Sequence, residues 1–377
     1  MNKVALKDLV DIYLGITHTP QYVNEGIPFL SVKDISGGSI DFSNCKHISK
    51  NEYYSLSEGA RPKPGDMLFC RVGTLGKPII IPEGTPLFGS FVSLGYLRNK
   101  DAEKCDLRYL KYWMNSYSFW NQVEANVKGA SQVNLNTGWL SRFIVKLPDI
   151  RIQRDRISLL DRVNSIIENR QQELQKVDEL FKARFVELFG DRFINDKCWP
   201  TRKLGECISF SNGKAHEQVV DEDGEYVLVT SRAIASDFSD VRRTNALLFP
   251  LHKNDIVMVM SDVPNGKALA KCQLINEDNK YTLNQRICSF DKYDFNPVFL
   301  LHLLNRHQYF LAFNDGNGQT NLRKNDILEC ELIEPPMVLQ IQFADFVKQI
   351  DKSKVAAHKA LEEAQLLFDS LMQKYFG

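Results

Sequence analysis

One pattern runs through this sequence twice in the same order, so a fold that accommodates it is built from two copies of one unit. Val4-Ala5-Leu6-Lys7-Asp8-Leu9 leads to Gly15, and Thr201-Arg202-Lys203-Leu204-Gly205-Glu206 leads to Gly213, with equal spacing from Leu6 and from Leu204. Gly26 to Ile35 finds its counterpart in Gly224 to Ile234, Lys63 to Phe69 in His252 to Met258, and Gly129 to Leu135 in Gly316 to Leu322. Pro148 and Gln153 pair with Pro335 and Gln340, and Phe189-Gly190 pairs with Phe376-Gly377. The offset drifts from 198 (213 minus 15) to 189 (255 minus 66), then holds at 187 from Gln132 and Gln319 to the end of each copy. Constant spacing in one part and drift in the other suggest a fixed scaffold carrying a variable head.

The constant part reads as a long helix. Residues 151–188 contain no Gly or Pro, and Leu160, Ile167, Leu174, Phe181 and Leu188 recur every seven residues. The same row in the second copy is Val347, Lys354, Leu361, Phe368 and Tyr375, accompanied by Ile350, Ala357, Ala364 and Leu371. At 1.5 Å per residue each helix spans roughly 50 Å. An apolar seam of that length does not stay wet, so the two helices are expected to pack on each other. Leu160, Ile167, Leu174 and Phe181 would then face Ile350, Leu361 and Phe368. The alternative is that each helix covers its own domain.

The rest of each copy alternates short β-rich runs with Gly, Pro and Asn punctuation. Phe29–Val32, Asp66–Arg71, Pro78–Ile81 and Phe143–Leu147 read as strands in the first copy, and Tyr226–Val229, Asp255–Met260 and Glu329–Ile333 in the second. Asp106–Asn121 and Pro297–Asn314 read as amphipathic helices. The expected fold class is α+β, each domain a curved sheet flanked by helices. The boundaries fall at 1–148 for the first domain, 149–190 for the central helix, 191–336 for the second domain and 337–377 for the C-terminal helix.

Composition narrows the function without naming it. A hydrophobic share of 44% is that of a chain with a packed core. The longest apolar runs fall short of the roughly 20 residues of a membrane helix, so a cytoplasmic protein without a membrane partner is expected. Eight scattered cysteines form no C-x-x-C pair and read as reduced, buried thiols, with no metal site expected. The 47 basic and 47 acidic residues cancel. Residues 1–150 carry 17 Lys and Arg against 14 Asp and Glu, whereas residues 191–336 carry 17 against 21. A binder of nucleic acid acting alone would usually show a basic excess, so this chain would borrow positive surface from partners.

Catalytic constellations are missing. The sequence holds no G-x-S-x-G, no H-E-x-x-H, no P-loop and no N-P-P-Y or D-P-P-Y tetrapeptide. Arg71 to Lys77 resembles a phosphate loop only superficially, because its glycine spacing differs and Pro78 stands where a magnesium-binding hydroxyl would be. What remains suits a binding surface. Arg71, Gly73, Thr74, Gly76 and Lys77 combine cations, a hydroxyl and glycine amides that could approach a phosphate. The matching Ser261 to Lys267 keeps Asn265, Gly266 and Lys267 but has no arginine. Ser131, Gln132 and Asn134 match Gln319, Asn321, Arg323 and Lys324, side chains able to read base edges. Lys33 and Asp34, with Ser231 and Arg232, follow a matched strand in each copy. A hairpin turn or a polar capping loop would account for each segment singly. Their recurrence at equivalent places is what singles them out.

The runs I-P-F-L-S-V-K-D-I (27–35) and P-G-D-M-L-F-C-R-V-G-T-L-G-K (64–77), with Pro148 leading through Gln153 into a long helix, resemble the specificity subunit of type I restriction–modification enzymes. The resemblance spans essentially the whole chain, more weakly in the second copy. It implies two target-recognition domains, each reading half of a split site in double-stranded DNA, and an antiparallel coiled coil that sets the distance between the halves. It further implies two methylation subunits bringing S-adenosylmethionine, and restriction subunits bringing the nuclease and an ATP- and Mg-dependent motor, so that this chain itself binds no cofactor and is no enzyme. Rival readings are a stand-alone sequence-specific DNA-binding or architectural protein, and a methyltransferase whose motifs have drifted.

Overall fold

A computed structural model describes all residues except Met1, 128–133, 192–193, 217, 264–265 and 317. The chain forms two compact units, residues 1–171 with 359–377 and residues 172–358. Both are mixed α and β, and both are built to one plan.

In the first unit, Val10–Leu14, Leu94–Asn99, Met67–Cys70 and Gly76–Ile80 lie side by side in that order, every pair antiparallel. In the second unit the order is Ser209–Asn212, Ile287–Asp291, Ile256–Val259 and Cys272–Leu274, again antiparallel throughout. A second sheet holds a parallel pair in each: Ile27–Leu30 with Gly89–Ser90, and Tyr226–Val229 with Tyr281–Leu283. The opening strand of each copy, Asn2–Ala5 or Thr201–Lys203, pairs with its closing strand, Ile144–Leu147 or Glu331–Ile333. The repeated glycines now have a reason. A Cβ on Gly15 would lie 2.2 Å from the Ser90 carbonyl oxygen, and one on Gly213 would lie 2.1 Å from that of Asn284. Only glycine permits the close backbone approach there.

The amphipathic stretches expected as single helices are each broken in two, which corrects the sequence reading. Leu107–Met114 is followed by Tyr117–Val127, and Pro297–Leu304 by Gln308–Leu311. In the second unit Arg306 takes a φ of +51° and His307 caps the new helix by accepting from the Tyr309 amide.

The long helices are Ile150–Phe189 and Met337–Phe376, 40 residues each. The division between the units falls inside both. The first unit therefore contains the start of one helix and the end of the other, and these segments run antiparallel: Arg156 lies 4.6 Å from the ring centroid of Tyr375. Buried Leu160, Val163 and Ile167 share a core with Ala364, Leu371 and Phe376, with half-buried Leu361 and Phe368 against it. In the second unit Phe181 packs tilted and Phe185 edge-on against Phe343, with ring centroids 5.5 and 5.4 Å away, and Lys354 pairs with Asp178 at 2.5 Å. Leu174 and Phe181 are only half-buried, whereas Ile350 is 7% exposed. In the second helix the row Ile350, Ala357, Ala364 and Leu371 is the buried one, and Lys354, Leu361 and Phe368 flank it.

The Pro-x4-Gln spacing ties each helix start to its domain. Gln153 is fully buried, accepts from the Asp106 amide at 3.0 Å, and donates to the carbonyls of Lys104 (2.9 Å) and Pro148 (2.8 Å). Gln340 repeats this by accepting from the Asn296 amide at 2.9 Å and donating to the Pro335 carbonyl at 2.8 Å. Asp106 and Asn296 are the N-caps of Leu107–Met114 and Pro297–Leu304, so one buried amide fixes a cap, a helix and the Pro carbonyl together.

Candidate nucleic-acid interface

In each unit the strand that ends in the Gly-containing loop is hydrogen-bonded to the polar loop that precedes the closing strand. The Leu135 amide donates to the Arg71 carbonyl at 3.0 Å, and the Leu322 amide donates to the Met260 carbonyl at 2.8 Å. The structural equivalent of Arg71 is thus Met260, one residue earlier than the segment expected from sequence. Two loops far apart in the chain become one edge, twice over.

Arg71 does not stand on that edge as a phosphate contact. It is buried, and its guanidinium donates to the carbonyls of Val92 (2.8 Å) and Leu135 (3.1 Å) and to Asn134 Oδ1 (3.2 Å). Burial lowers its pKa from the ordinary value, yet an arginine keeps its charge, and the surrounding carbonyls satisfy it. Its work is to pin one loop to the other. Asp34 is likewise turned inward: its carboxylate accepts from the Ser31 amide at 2.6 Å and the Ser31 hydroxyl at 2.8 Å, closing the turn Val32–Asp34. Gly76 is also structural, being paired with Cys70 in the sheet, and a Cβ on it would sit 3.1 Å from Trp120.

The exposed members of the edge in the first unit are Lys33, Gly73, Thr74, Lys77 and Asn134. Gly73, at φ +70°, brings the loop beside Val32, so Lys33 belongs to the same surface. Lys77, at φ +51°, lies close enough to temper the rise that burial imposes on the Cys70 thiol, pushed up to about 11. Ser131 and Gln132 lie outside the described residues.

The second unit fastens the same edge with an anion. The half-buried Asp262 carboxylate accepts from the amides of Val263 (2.8 Å), Ala268 (2.7 Å) and Leu269 (3.0 Å). A Cβ on Gly266 would meet that carboxylate at 2.1 Å, so this glycine serves the turn. Short strands Ser261–Asp262 and Thr320–Asn321 then pair, setting Ser261 opposite Asn321. Gln319, Asn321, Arg323, Lys324 and Lys267 are exposed; Lys324 lies 5.4 Å from the ring centroid of Phe210. Ser231 is half-buried, and Arg232 is exposed and 3.7 Å from Asp240. Asn265 is outside the described residues. Sequence reasoning missed Ser261 as an organiser because its partner Gln319 lies 58 residues away and becomes a neighbour only through strand pairing. It missed Asp262 because its partners are main-chain amides of its own loop, which residue types do not reveal.

Among the described residues no helix is long and apolar enough to cross a membrane, and no group of three His, Cys, Asp or Glu side chains is placed to hold a metal ion. All eight cysteines are free thiols; six are buried, Cys45 is half-buried and Cys198 exposed.

Two copies of one α+β unit, each floored by antiparallel helix segments and each presenting a polar edge made of paired loops, define a duplicated recognition protein rather than a single-site one. The chain belongs to the type I restriction modification DNA specificity domain family, whose model matches residues 1–179 and again residues 196–366. Its role is that of a specificity subunit. No curated protein matches the chain. Among solved structures, the type I restriction-modification system S subunit from M. genitalium is 16% identical, with a TM-score of 0.60, covering 100% of this chain and 96% of that one. A chain from a structure describing complex assembly and conformational transition of the type I R-M system is 15% identical, with a TM-score of 0.60 and coverage of 100% and 97%. At such identities these likenesses establish a shared fold.

Proposed function

We propose that each unit reads one half of a split site in double-stranded DNA through its paired-loop edge, and that the chain contributes recognition but no catalysis. The observation that carries this is the repeated bond between loops, Leu135 to Arg71 and Leu322 to Met260, which rebuilds the same edge from divergent residues. Exposed Lys33 and Lys77 in one unit, and Lys267, Arg323 and Lys324 in the other, would neutralise phosphates. Exposed Asn134, Gln319 and Asn321 would face base edges. The net charge of zero fits a subunit that acts with others. Two methylation subunits would bring S-adenosylmethionine, and restriction subunits would bring ATP, Mg and the nuclease. Localisation in the cytoplasm follows from that role.

The test is a map of modified sites in the host genome before and after residues 1–147 are exchanged for the matching domain of a relative. One half of the site should change and the other should stay. A simultaneous change of both halves overturns the modular reading. The purified chain alone should neither transfer methyl groups, hydrolyse ATP nor cut DNA; methyl transfer by the isolated chain would favour the methyltransferase alternative.

A further inference from the structure

We propose that Gln319 and Asn321 of the second unit together read the major-groove edge of one adenine, with Ser261 as the residue that positions them. This rests on the loop edge being the DNA interface. Gln319 Nε2 donates to Ser261 Oγ at 2.5 Å and to Asn321 Oδ1 at 3.4 Å. Both amides are exposed, whereas Ser261 is only 8% exposed and held in the short strand pair opposite Asn321. Thr320, between the two amides, is itself held: Asn314 Oδ1 accepts from its hydroxyl at 3.2 Å and from the Gly316 amide at 3.1 Å. The reading groups are therefore arranged before DNA arrives, and little side-chain freedom is left to lose.

A primary amide carries an oxygen that accepts and an NH2 that donates. With the Gln319 NH2 given to Ser261 and Asn321, its Oε1 is left to accept from a ligand. With the Asn321 oxygen engaged, its Nδ2 is left to donate. The pair offers an acceptor beside a donor. Adenine presents the complement, the N6–H donor beside the N7 acceptor. Guanine presents two acceptors, N7 and O6, and would set O6 against the Gln319 oxygen. In the first unit Val72, which has no hydroxyl, stands at the place of Ser261, and Asn134 Oδ1 accepts from the buried Arg71 instead.

The experiment begins with the map of modified sites in the host for the wild type, Q319A, N321A and S261A. Each variant should lose discrimination by roughly 5- to 150-fold at one and the same A·T position, in the half-site of the second unit only. S261T, which keeps the hydroxyl, should retain it. The complex isolated from the host is then titrated with duplexes carrying 7-deazaadenine at that position, which lack N7. Wild type should bind this duplex more weakly than the adenine duplex, and N321A should bind both alike. Relaxation at a G·C pair, loss spread evenly over all positions, or indifference of the wild type to 7-deazaadenine overturns the proposal. If deleting the gene left the host's modification pattern unchanged, the interface reading itself would fall, and the adenine assignment with it.

Discussion

The two units fasten the same edge with opposite charges. In the first, the buried Arg71 guanidinium donates to Val92, Leu135 and Asn134 and holds the loops from the side of their acceptors. In the second, Met260 occupies that place and the Asp262 carboxylate gathers three amides instead. A second exchange lies behind it. Asp66 is paired by Arg98 through bonds of 2.9 and 2.7 Å, with Tyr13 and Tyr96 beneath the guanidinium. The register that gives Arg98 to the first unit gives Asp291 to the second, so Asp255 faces like charge. Burial raises the Asp255 carboxyl above its ordinary value of 3.8, and Asp291 and Asp278 add to the rise against the His252 amide. The backbone frame, not any particular charge, is what the duplicated fold preserves, and the modest basic surplus of one half and acidic surplus of the other follow from this.

The largest effects are expected where the units agree. Gln153→Ala strands three buried main-chain groups, and at ~1 kcal/mol or more for each it should cost about 3–4 kcal/mol. Gln340→Ala strands two and should cost about 2 kcal/mol. Urea unfolding measures both; equal losses would mean the two anchors are interchangeable after all. Next come the fasteners. Arg71→Ala should destabilise by about 2–3 kcal/mol, leaving carbonyls unpaired, while the salt dependence of DNA binding keeps its slope. A slope reduced by one counterion without loss of stability would return Arg71 to the phosphates.

A smaller effect, of opposite sign, is expected at Asp255. A carboxyl whose pKa is raised in the fold favours folding when protonated and opposes it once charged, so its cost appears as pH climbs from 3.8 upward. Asp255→Asn should therefore stabilise the chain near neutral pH, by less than about 1 kcal/mol, and confer no gain below pH 3. A variant less stable at pH 7 would show that the carboxylate's bond from the His252 amide outweighs the repulsion. The smallest change in stability belongs to Lys77→Ala and Lys267→Ala, within about 0.5 kcal/mol, each removing about one counterion from the salt slope.

Much of the frame was legible in the sequence. The duplication, the 40-residue helices and the Pro-x4-Gln anchors were visible because they repeat at constant spacing. The strands Val10–Leu14 and Leu94–Asn99 were not: the first follows the helical turn Leu6–Leu9 with no Gly or Pro to mark its start, and the second mixes glycine, aromatic and charged residues without clean alternation. The helix breaks at Asn115-Ser116 and Asn305–His307 escaped because no Gly or Pro marks them. At the edge, sequence reads residue type but not direction. Arg71 between a strand and two glycines looks like a solvent-facing cation, and only the arrival of Val92 and Leu135, 21 and 64 residues on, turns it inward.

The exchange of helix ends has a consequence for synthesis. Domains of a nascent chain usually close in the order in which they leave the ribosome. Here Phe376, packed 4.8 Å from Tyr109, and its neighbours from residue 359 onward belong to the unit that is made first. Every residue of the other unit is translated before them. The earlier-born unit is thus the later to be completed, and until its last helix turns emerge, the apolar surface around Tyr109, Leu160 and Ile167 waits uncovered.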